Sequence, residues 1–132
     1  MSDGSARTAA QPIRMLDELA TERCEACTGA TPRIEPEEAR ELAGALDPAW
    51  QVGEKALERE FRSKSFNAAF GLATRVALLA ESQGHHPDLE VGWGRLLVRL
   101  TTHAIDGLSR NDFIMAARID RLARGEAKPA DT

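Results

Sequence analysis

The stretch FNAAFGLATRVALLAESQGHHPDLEVGWGRLLVRLT, residues 66–101, decides the predicted fold, because the spacing of its apolar residues changes once along it. Up to Gln83 the apolar side chains recur every three or four residues, which predicts a helix that Gly84 ends. After Gly84 the apolar period becomes two, which is typical of strands. With a turn at residues 92–94, this half of the stretch predicts a β-hairpin.

The segments on either side of this stretch add two helices and two strands. A helix begins at Pro36, which is flanked by the acidic residues Glu35, Glu37 and Glu38 that suit a helix start. This helix ends before Pro48. Two short strands follow, near residues 50–52 and 56–61. A last helix begins at the capping-box sequence Ser109–Asp112 and runs to Leu122.

The predicted order is therefore αββαββα, which indicates an α+β fold with a four-stranded antiparallel sheet and three helices packed on one face. The other sheet face would be open or covered by a partner chain. We predict one domain over residues 34–122, a poorly ordered leader over residues 1–33, and a frayed tail over residues 123–132.

Composition excludes several classes of protein. The 132 residues are 42% hydrophobic and contain no apolar run long enough to span a membrane. The amino-terminal residues lack an apolar signal core, so we expect a cytoplasmic protein. A net charge of −4 and an aromatic content of 5% argue against nucleic-acid binding.

The leader contains the motif Cys24-x-x-Cys27. Such a pair can be redox-active or can form half of a zinc site. Because no second cysteine pair exists in the chain, we predict an incidental or weakly structural role.

The three histidines of the chain are its strongest functional signal. His85 and His86 precede the hairpin and His103 follows it, so the hairpin should bring the three imidazoles together. They could be structural histidines, or ligands of a zinc ion, or acid–base catalysts that need no metal. Zinc is disfavoured because adjacent residues of an extended chain point to opposite sides, and no HExxH-like spacing is present.

Glu81-Ser-Gln-Gly-His85-His86-Pro87, followed by Trp93, His103 and Asp112, resembles the signature of the pterin-4a-carbinolamine dehydratases. The resemblance covers about residues 34–122. It implies the same fold, assembly into homodimers or homotetramers, and loss of water from a 4a-hydroxytetrahydropterin to give the quinonoid dihydropterin. Such an enzyme, a 4a-hydroxytetrahydrobiopterin dehydratase, serves tetrahydropterin recycling after an aromatic amino-acid hydroxylase. The implied reaction needs no metal and no cofactor.

By this resemblance, His85 and His103 are the catalytic acid and base, in an order that the sequence leaves open, and His86 binds and orients the pterin. Imidazole suits both steps because it gives and takes protons near neutral pH.

Five further residues are predicted to bind the substrate or to support the site: Trp50, Glu81, Pro87, Trp93 and Asp112. Asp112 can cap the last helix and also hold an imidazole in one tautomer. Glu81 opposes the helix dipole, so we expect either a local histidine partner or simple exposure. For Trp50 the choice is core or pocket wall, and for Trp93 pocket wall or hairpin packing. Pro87 sets the path of the chain leaving the helix.

A second function is compatible with the same fold. The family also includes a transcriptional dimerisation cofactor and proteins that assist RuBisCO assembly, so the chain could be a non-enzymatic interaction protein. The complete histidine motif favours an enzyme, and we expect any partner contacts to lie in the leader.

Overall fold

The computed structural model describes residues 18–125, and the element order predicted from the sequence is confirmed within them. Residues 18–21 are helical. The helices and strands that follow are α1 Pro36–Ala43, β1 Gln51–Val52, β2 Leu57–Arg62, α2 Phe66–Gln83, β3 Asp88–Gly92, β4 Arg95–Leu100, a short 3-10 helix His103–Ile105, and α3 Arg110–Ala123.

The four strands form one antiparallel sheet in the order β1-β2-β4-β3. Alternate side chains of β2 and β4 point towards the helices and are buried, including Leu57, Phe61, Leu96 and Val98. These apolar side chains form a core with buried residues of α2 and α3. The predicted fold class, a four-stranded antiparallel sheet with helices on one face, is confirmed.

Local signals define both ends of the longest helix, α2. The Ser65 side chain accepts a hydrogen bond from the Ala68 amide at 3.0 Å, which caps the first turn. Gly84 ends the helix in the left-handed conformation, with φ of 68°, which glycine adopts without the strain of a Cβ.

None of the helices within residues 18–125 is long and apolar enough to cross a membrane.

The exposed face of the sheet is charged rather than apolar. Arg99 lies 3.2 Å from Glu58, and Arg95 lies 3.3 Å from Glu90, so ion pairs link neighbouring strands. Leu97 lies half-buried among them. The large exposed apolar side chains of α2, by contrast, form a stripe of Phe66, Phe70 and Leu78, which we call the α2 stripe.

The described part of the predicted leader, residues 18–33, packs on the domain. Leu19 is completely buried in the core. The Glu22 carbonyl accepts hydrogen bonds from Arg118 Nε and Nη2 at 2.9 and 2.6 Å. The Glu22 carboxylate also receives two hydrogen bonds from Arg110, at 2.9 and 2.8 Å. The rest of the predicted leader and residues 126–132 of the predicted tail lie outside the described residues.

Candidate active site

His85 and Asp112 form a buried pair where α2 ends and α3 begins. His85 follows the left-handed Gly84, which turns the chain at the end of α2. Its Nε2 atom lies 2.6 Å from Asp112 Oδ1, a distance typical of strong, charge-assisted hydrogen bonds. The His85 residue is 8% exposed and Asp112 is 0% exposed. The predicted partnership of Asp112 with an imidazole is therefore with His85.

The second oxygen of Asp112 receives two further hydrogen bonds. Thr102 Oγ1 donates to Oδ2 at 2.7 Å, and the Ser109 amide donates to it at 3.0 Å as part of the capping box of α3. A carboxylate that collects donors on both oxygens acts as a pure acceptor. The proton between the two side chains is therefore assigned to Nε2 of His85, and in the neutral form of the ring Nδ1 is then the acceptor nitrogen.

His103 stands at the surface directly after this network. It begins the 3-10 helix, next to Thr102, which binds the same Asp112 carboxylate. The His103 residue is exposed, and no side chain within residues 18–125 hydrogen-bonds to its ring. Its ring nitrogens are therefore accessible to a bound molecule.

The register of the hairpin explains why these segments meet. Asp88 of β3 pairs with Arg99 of β4, so the residues before β3 and those after β4 lie at the same end of the hairpin. Asp112 then links the two segments by bonding to His85 and to Thr102. The structure thus brings the His85 and His103 segments together around one buried carboxylate.

His86 takes a different environment from its neighbour. Its Nε2 atom lies 2.9 Å from Glu81 Oε1, and both side chains are exposed. Glu81 therefore has a histidine as its local partner, as its position in the last turn of α2 suggests. Pro87 is half-buried and leads the chain from His86 into β3.

The two tryptophans lie in different surroundings. Trp50 is buried in the core, and its Nε1 atom donates to Asp120 Oδ1 at 2.7 Å. Trp93 is 74% exposed, in the turn between β3 and β4. This turn is the end of the hairpin remote from the histidines, roughly 15–20 Å away at the usual rise per strand residue. Within one chain, Trp93 therefore lies too far away to form a wall around His85.

Asp120 is a second buried carboxylate, which the sequence reasoning missed. Its Oδ1 also accepts from Arg59 Nη1 at 2.7 Å, and its Oδ2 accepts from the Asp47 amide at 2.9 Å. Burial raises the pKa of Asp120 above its usual value, against the effect of these donors. No histidine is part of this network, so we read it as a structural tie between α3 and the sheet. A carboxylate next to the apolar Ile119 was the signal available in the sequence.

The cysteine motif lies next to the site, which the sequence reasoning did not foresee. Cys27 Sγ accepts a hydrogen bond from Asn111 Nδ2 at 3.1 Å, and Asn111 immediately precedes Asp112. Both thiols are free and half-buried. Within residues 18–125, no group of three or more histidine, cysteine or acidic side chains is arranged to hold a metal ion.

Comparison with known proteins gives consistent matches. The family model described as pterin 4 alpha carbinolamine dehydratase matches residues 32–122. A protein of Rubrobacter xylanophilus, provisionally named as such a dehydratase, is 45% identical over 108 residues, which are 81% of this chain and 100% of that protein. A similarly named protein of Methylococcus capsulatus is 43% identical over 107 residues, covering 80% and 93% of the two chains.

A solved structure is similar to this chain in both fold and sequence. The crystal structure of a protein from Brucella melitensis, described as a transcriptional coactivator/pterin dehydratase, is similar with a TM-score of 0.65 and 36% identity. The match covers 70% of this chain and 99% of that one.

Proposed function

Because the chain belongs to the pterin 4 alpha carbinolamine dehydratase family, we propose that it dehydrates a 4a-hydroxytetrahydropterin by histidine acid–base catalysis without a metal. The buried His85–Asp112 pair beside an exposed His103 is the observation that supports this mechanism best. The oriented imidazole of His85 and the accessible imidazole of His103 lie at the same end of the hairpin.

The reaction needs two proton transfers and nothing else. The substrate carries its hydroxyl on a carbon bonded to a ring nitrogen, and hydroxide is a poor leaving group unless it is protonated as it departs. The nitrogen lone pair expels it as water, and a base removes the proton that the ring nitrogen then loses. Positioned histidines typically accelerate such steps by about 10²–10⁴-fold each.

The environment of His85 suits it to accept a proton. Asp112 holds its Nε2–H, so Nδ1 presents the lone pair, and the carboxylate stabilises the imidazolium that forms. His103 is then the proton donor to the departing hydroxyl, since its exposed ring is free to approach the substrate. His86 binds and orients the pterin through the ring edge that Glu81 does not occupy.

We further propose the physiological setting that the family resemblance implies. The substrate is the carbinolamine left by an aromatic amino-acid hydroxylase, and the enzyme returns it to the tetrahydropterin cycle in the cytoplasm. The α2 stripe is the surface we assign to contact between subunits of a homodimer or homotetramer, because it exposes three large apolar side chains on one helix. The charged outer face of the sheet is a poorer candidate.

One observation favours a second candidate, a non-enzymatic interaction protein. The Brucella melitensis relative is described as a transcriptional coactivator as well as a pterin dehydratase. The α2 stripe could then receive a partner protein instead of another subunit. A transcriptional dimerisation cofactor and a RuBisCO assembly factor are the two forms of this alternative.

A stopped-flow dehydration assay separates the two functions. A synthetic 4a-hydroxytetrahydropterin is mixed with the wild type, with His103→Ala, or with a control variant at the exposed Lys64. We expect fast dehydration by the wild type and by Lys64→Ala, and a loss of roughly 10²–10⁴-fold in His103→Ala. Wild-type turnover in a folded His103→Ala variant would exclude the histidine mechanism and favour the interaction protein.

A further inference from the structure

We propose that residues 24–33, which we call the strap, position His85 and His103 relative to each other. The positioning residues are Asn111, which binds the first end of the strap from α3, and Arg33, which forms its second end. The inference rests on the proposed function, since it concerns the same two catalytic histidines.

Asn111 attaches the first end of the strap beside Asp112. Its Oδ1 atom accepts a hydrogen bond from the Glu25 amide at 3.0 Å, and its Nδ2 atom donates to the Glu25 carbonyl at 2.6 Å. The same Nδ2 atom reaches Cys27 Sγ at 3.1 Å. One buried side chain thus engages both polar backbone groups of a residue 86 positions away. Because Asn111 adjoins Asp112 in the chain, these bonds fix the start of α3 against the strap.

Cys24 connects this end of the strap to α2. Its amide donates to Gln83 Oε1 at 2.9 Å, and Gln83 is the last residue of α2, two positions before His85. The strap therefore bridges the end of the helix that leads to His85 and the start of the helix that carries Asp112. The 2.6 Å contact between those two side chains depends on the spacing of the same two helix ends.

The Cys24 side chain adds no charge near the start of α3, where its Sγ atom lies 3.8 Å from the Asn111 carbonyl oxygen. Burial raises the pKa of its thiol to about 11, and the nearby Asp112 carboxylate contributes to the rise. The side chain is therefore a neutral thiol at physiological pH.

Arg33 attaches the other end of the strap to the segment that carries His103. Its guanidinium donates to the Asp106 carbonyl at 3.0 Å and to the Ile105 carbonyl, at the end of the 3-10 helix that begins with His103. Gly107 makes this approach possible, because a Cβ there would lie 2.5 Å from Arg33 Nη1. The guanidinium thus binds two carbonyls of one tight turn.

The strap is consequently a single segment that holds both histidine-bearing segments. In catalysis by positioned groups, a displacement of about 1 Å can reduce the rate by about 10²-fold. Releasing either end should therefore lower turnover more than substrate affinity.

The test uses Asn111→Ala and Arg33→Ala in the full chain, with Arg110→Ala as the matched control. Arg110 also binds the leader, but through Glu22, outside the strap. We expect both strap variants to lose about 10–100-fold in kcat, with KM within about threefold. Arg110→Ala should keep wild-type kinetics. Arg33→Lys, which retains a donor and the charge, should recover part of the loss.

The NMR signals of the histidines report on the two imidazoles directly, and they would stay unchanged if the strap only stabilised the fold. In Asn111→Ala the imidazole N–H proton of His85 should shift or broaden, and in Arg33→Ala the ring signals of His103 should shift while those of His85 stay. Amide spectra of the core verify that each variant is folded.

Wild-type turnover together with wild-type histidine signals in either folded strap variant overturns the proposal. If Asn111→Ala fails to fold, Arg33→Ala decides, because Arg33 is exposed. If the wild type shows no dehydration at all, the proposed function fails, and the histidine signals alone decide on the strap.

Discussion

Replacing Asp112 by asparagine tests the His85–Asp112 pair most directly, because the two side chains have nearly the same shape. Two donors, Thr102 Oγ1 and the Ser109 amide, converge on Oδ2 of Asp112. The amide oxygen of asparagine should take that position and keep both bonds. Its NH₂ group would then face Nε2 of His85, which would have to become an acceptor. The proton of His85 would move to Nδ1, the nitrogen that the proposed mechanism needs as a base.

The size of the effect follows from this change of tautomer. A base held in the wrong tautomer loses roughly 10²–10⁴-fold in turnover. The charge-assisted hydrogen bond between His85 and Asp112 is then replaced by a neutral one, which we expect to reduce the free energy of unfolding by about 1 kcal/mol. Substrate affinity should change much less, because His86 and the rest of the surface are untouched.

Asp120 offers a matched control on the same helix. It is buried like Asp112 and receives three hydrogen bonds, but none of them comes from a histidine. Asp120→Asn should therefore alter stability without the loss of turnover.

The assay combines stopped-flow dehydration with thermal unfolding of both variants. The reasoning would be refuted if Asp112→Asn kept kcat within about threefold of the wild type while remaining folded. It would be equally refuted if Asp120→Asn lost as much turnover as Asp112→Asn.

Four further predictions follow from the site and the surface. His85→Ala should lose about 10²–10⁴-fold in kcat with little change in KM, whereas His86→Ala should weaken binding of a pterin analogue and spare turnover at saturation; the reverse pattern would exchange their roles. Dialysis against a strong chelator should leave the dehydration rate unchanged, and a loss that zinc restores would contradict the metal-free mechanism. Light scattering should give at least twice 14.4 kDa for the wild type and a smaller mass for Phe70→Glu in the α2 stripe, and a monomeric wild type would contradict the oligomer. In a Cys27→Ser variant, Cys24 should react with a disulfide reagent at pH 8 roughly tenfold more slowly in the folded than in the unfolded protein, because burial raises its pKa from 9.0 to about 11 and depletes the thiolate, an effect that the greater nucleophilicity of the remaining thiolate offsets in part; equal rates would show that the thiol is not shielded.

Several features of this protein were predictable because they are encoded locally. The change of period after Gly84 marks the boundary between α2 and the hairpin, since helices and strands place apolar residues on one face at different spacings. The capping box at Ser109 predicted the start of α3. The histidine motif pointed to the family, which the family model and the relatives confirm.

The position of Trp93 relative to the histidines follows from the hairpin itself. Its place in the hairpin turn could be read from the sequence, and a turn lies at the opposite end of a hairpin from the flanking histidines. Of the two roles expected for Trp93, pocket wall and hairpin packing, the first rests on the residue type alone. Strand length already separates the two within one chain.

The sequence by itself determined the order of the helices and strands, the family, and which residues could transfer protons, because these depend on residue type and short-range spacing. Only the tertiary structure decided that Asp112 bonds to His85, that Trp50 bonds to Asp120, and that the cysteine motif lies beside Asn111. These partners are 27, 70 and 84 positions apart in the chain. Periodicity shows which face of an element is buried, but the partner of a buried polar group depends on how the elements pack together, because any compatible donor brought close enough can satisfy it.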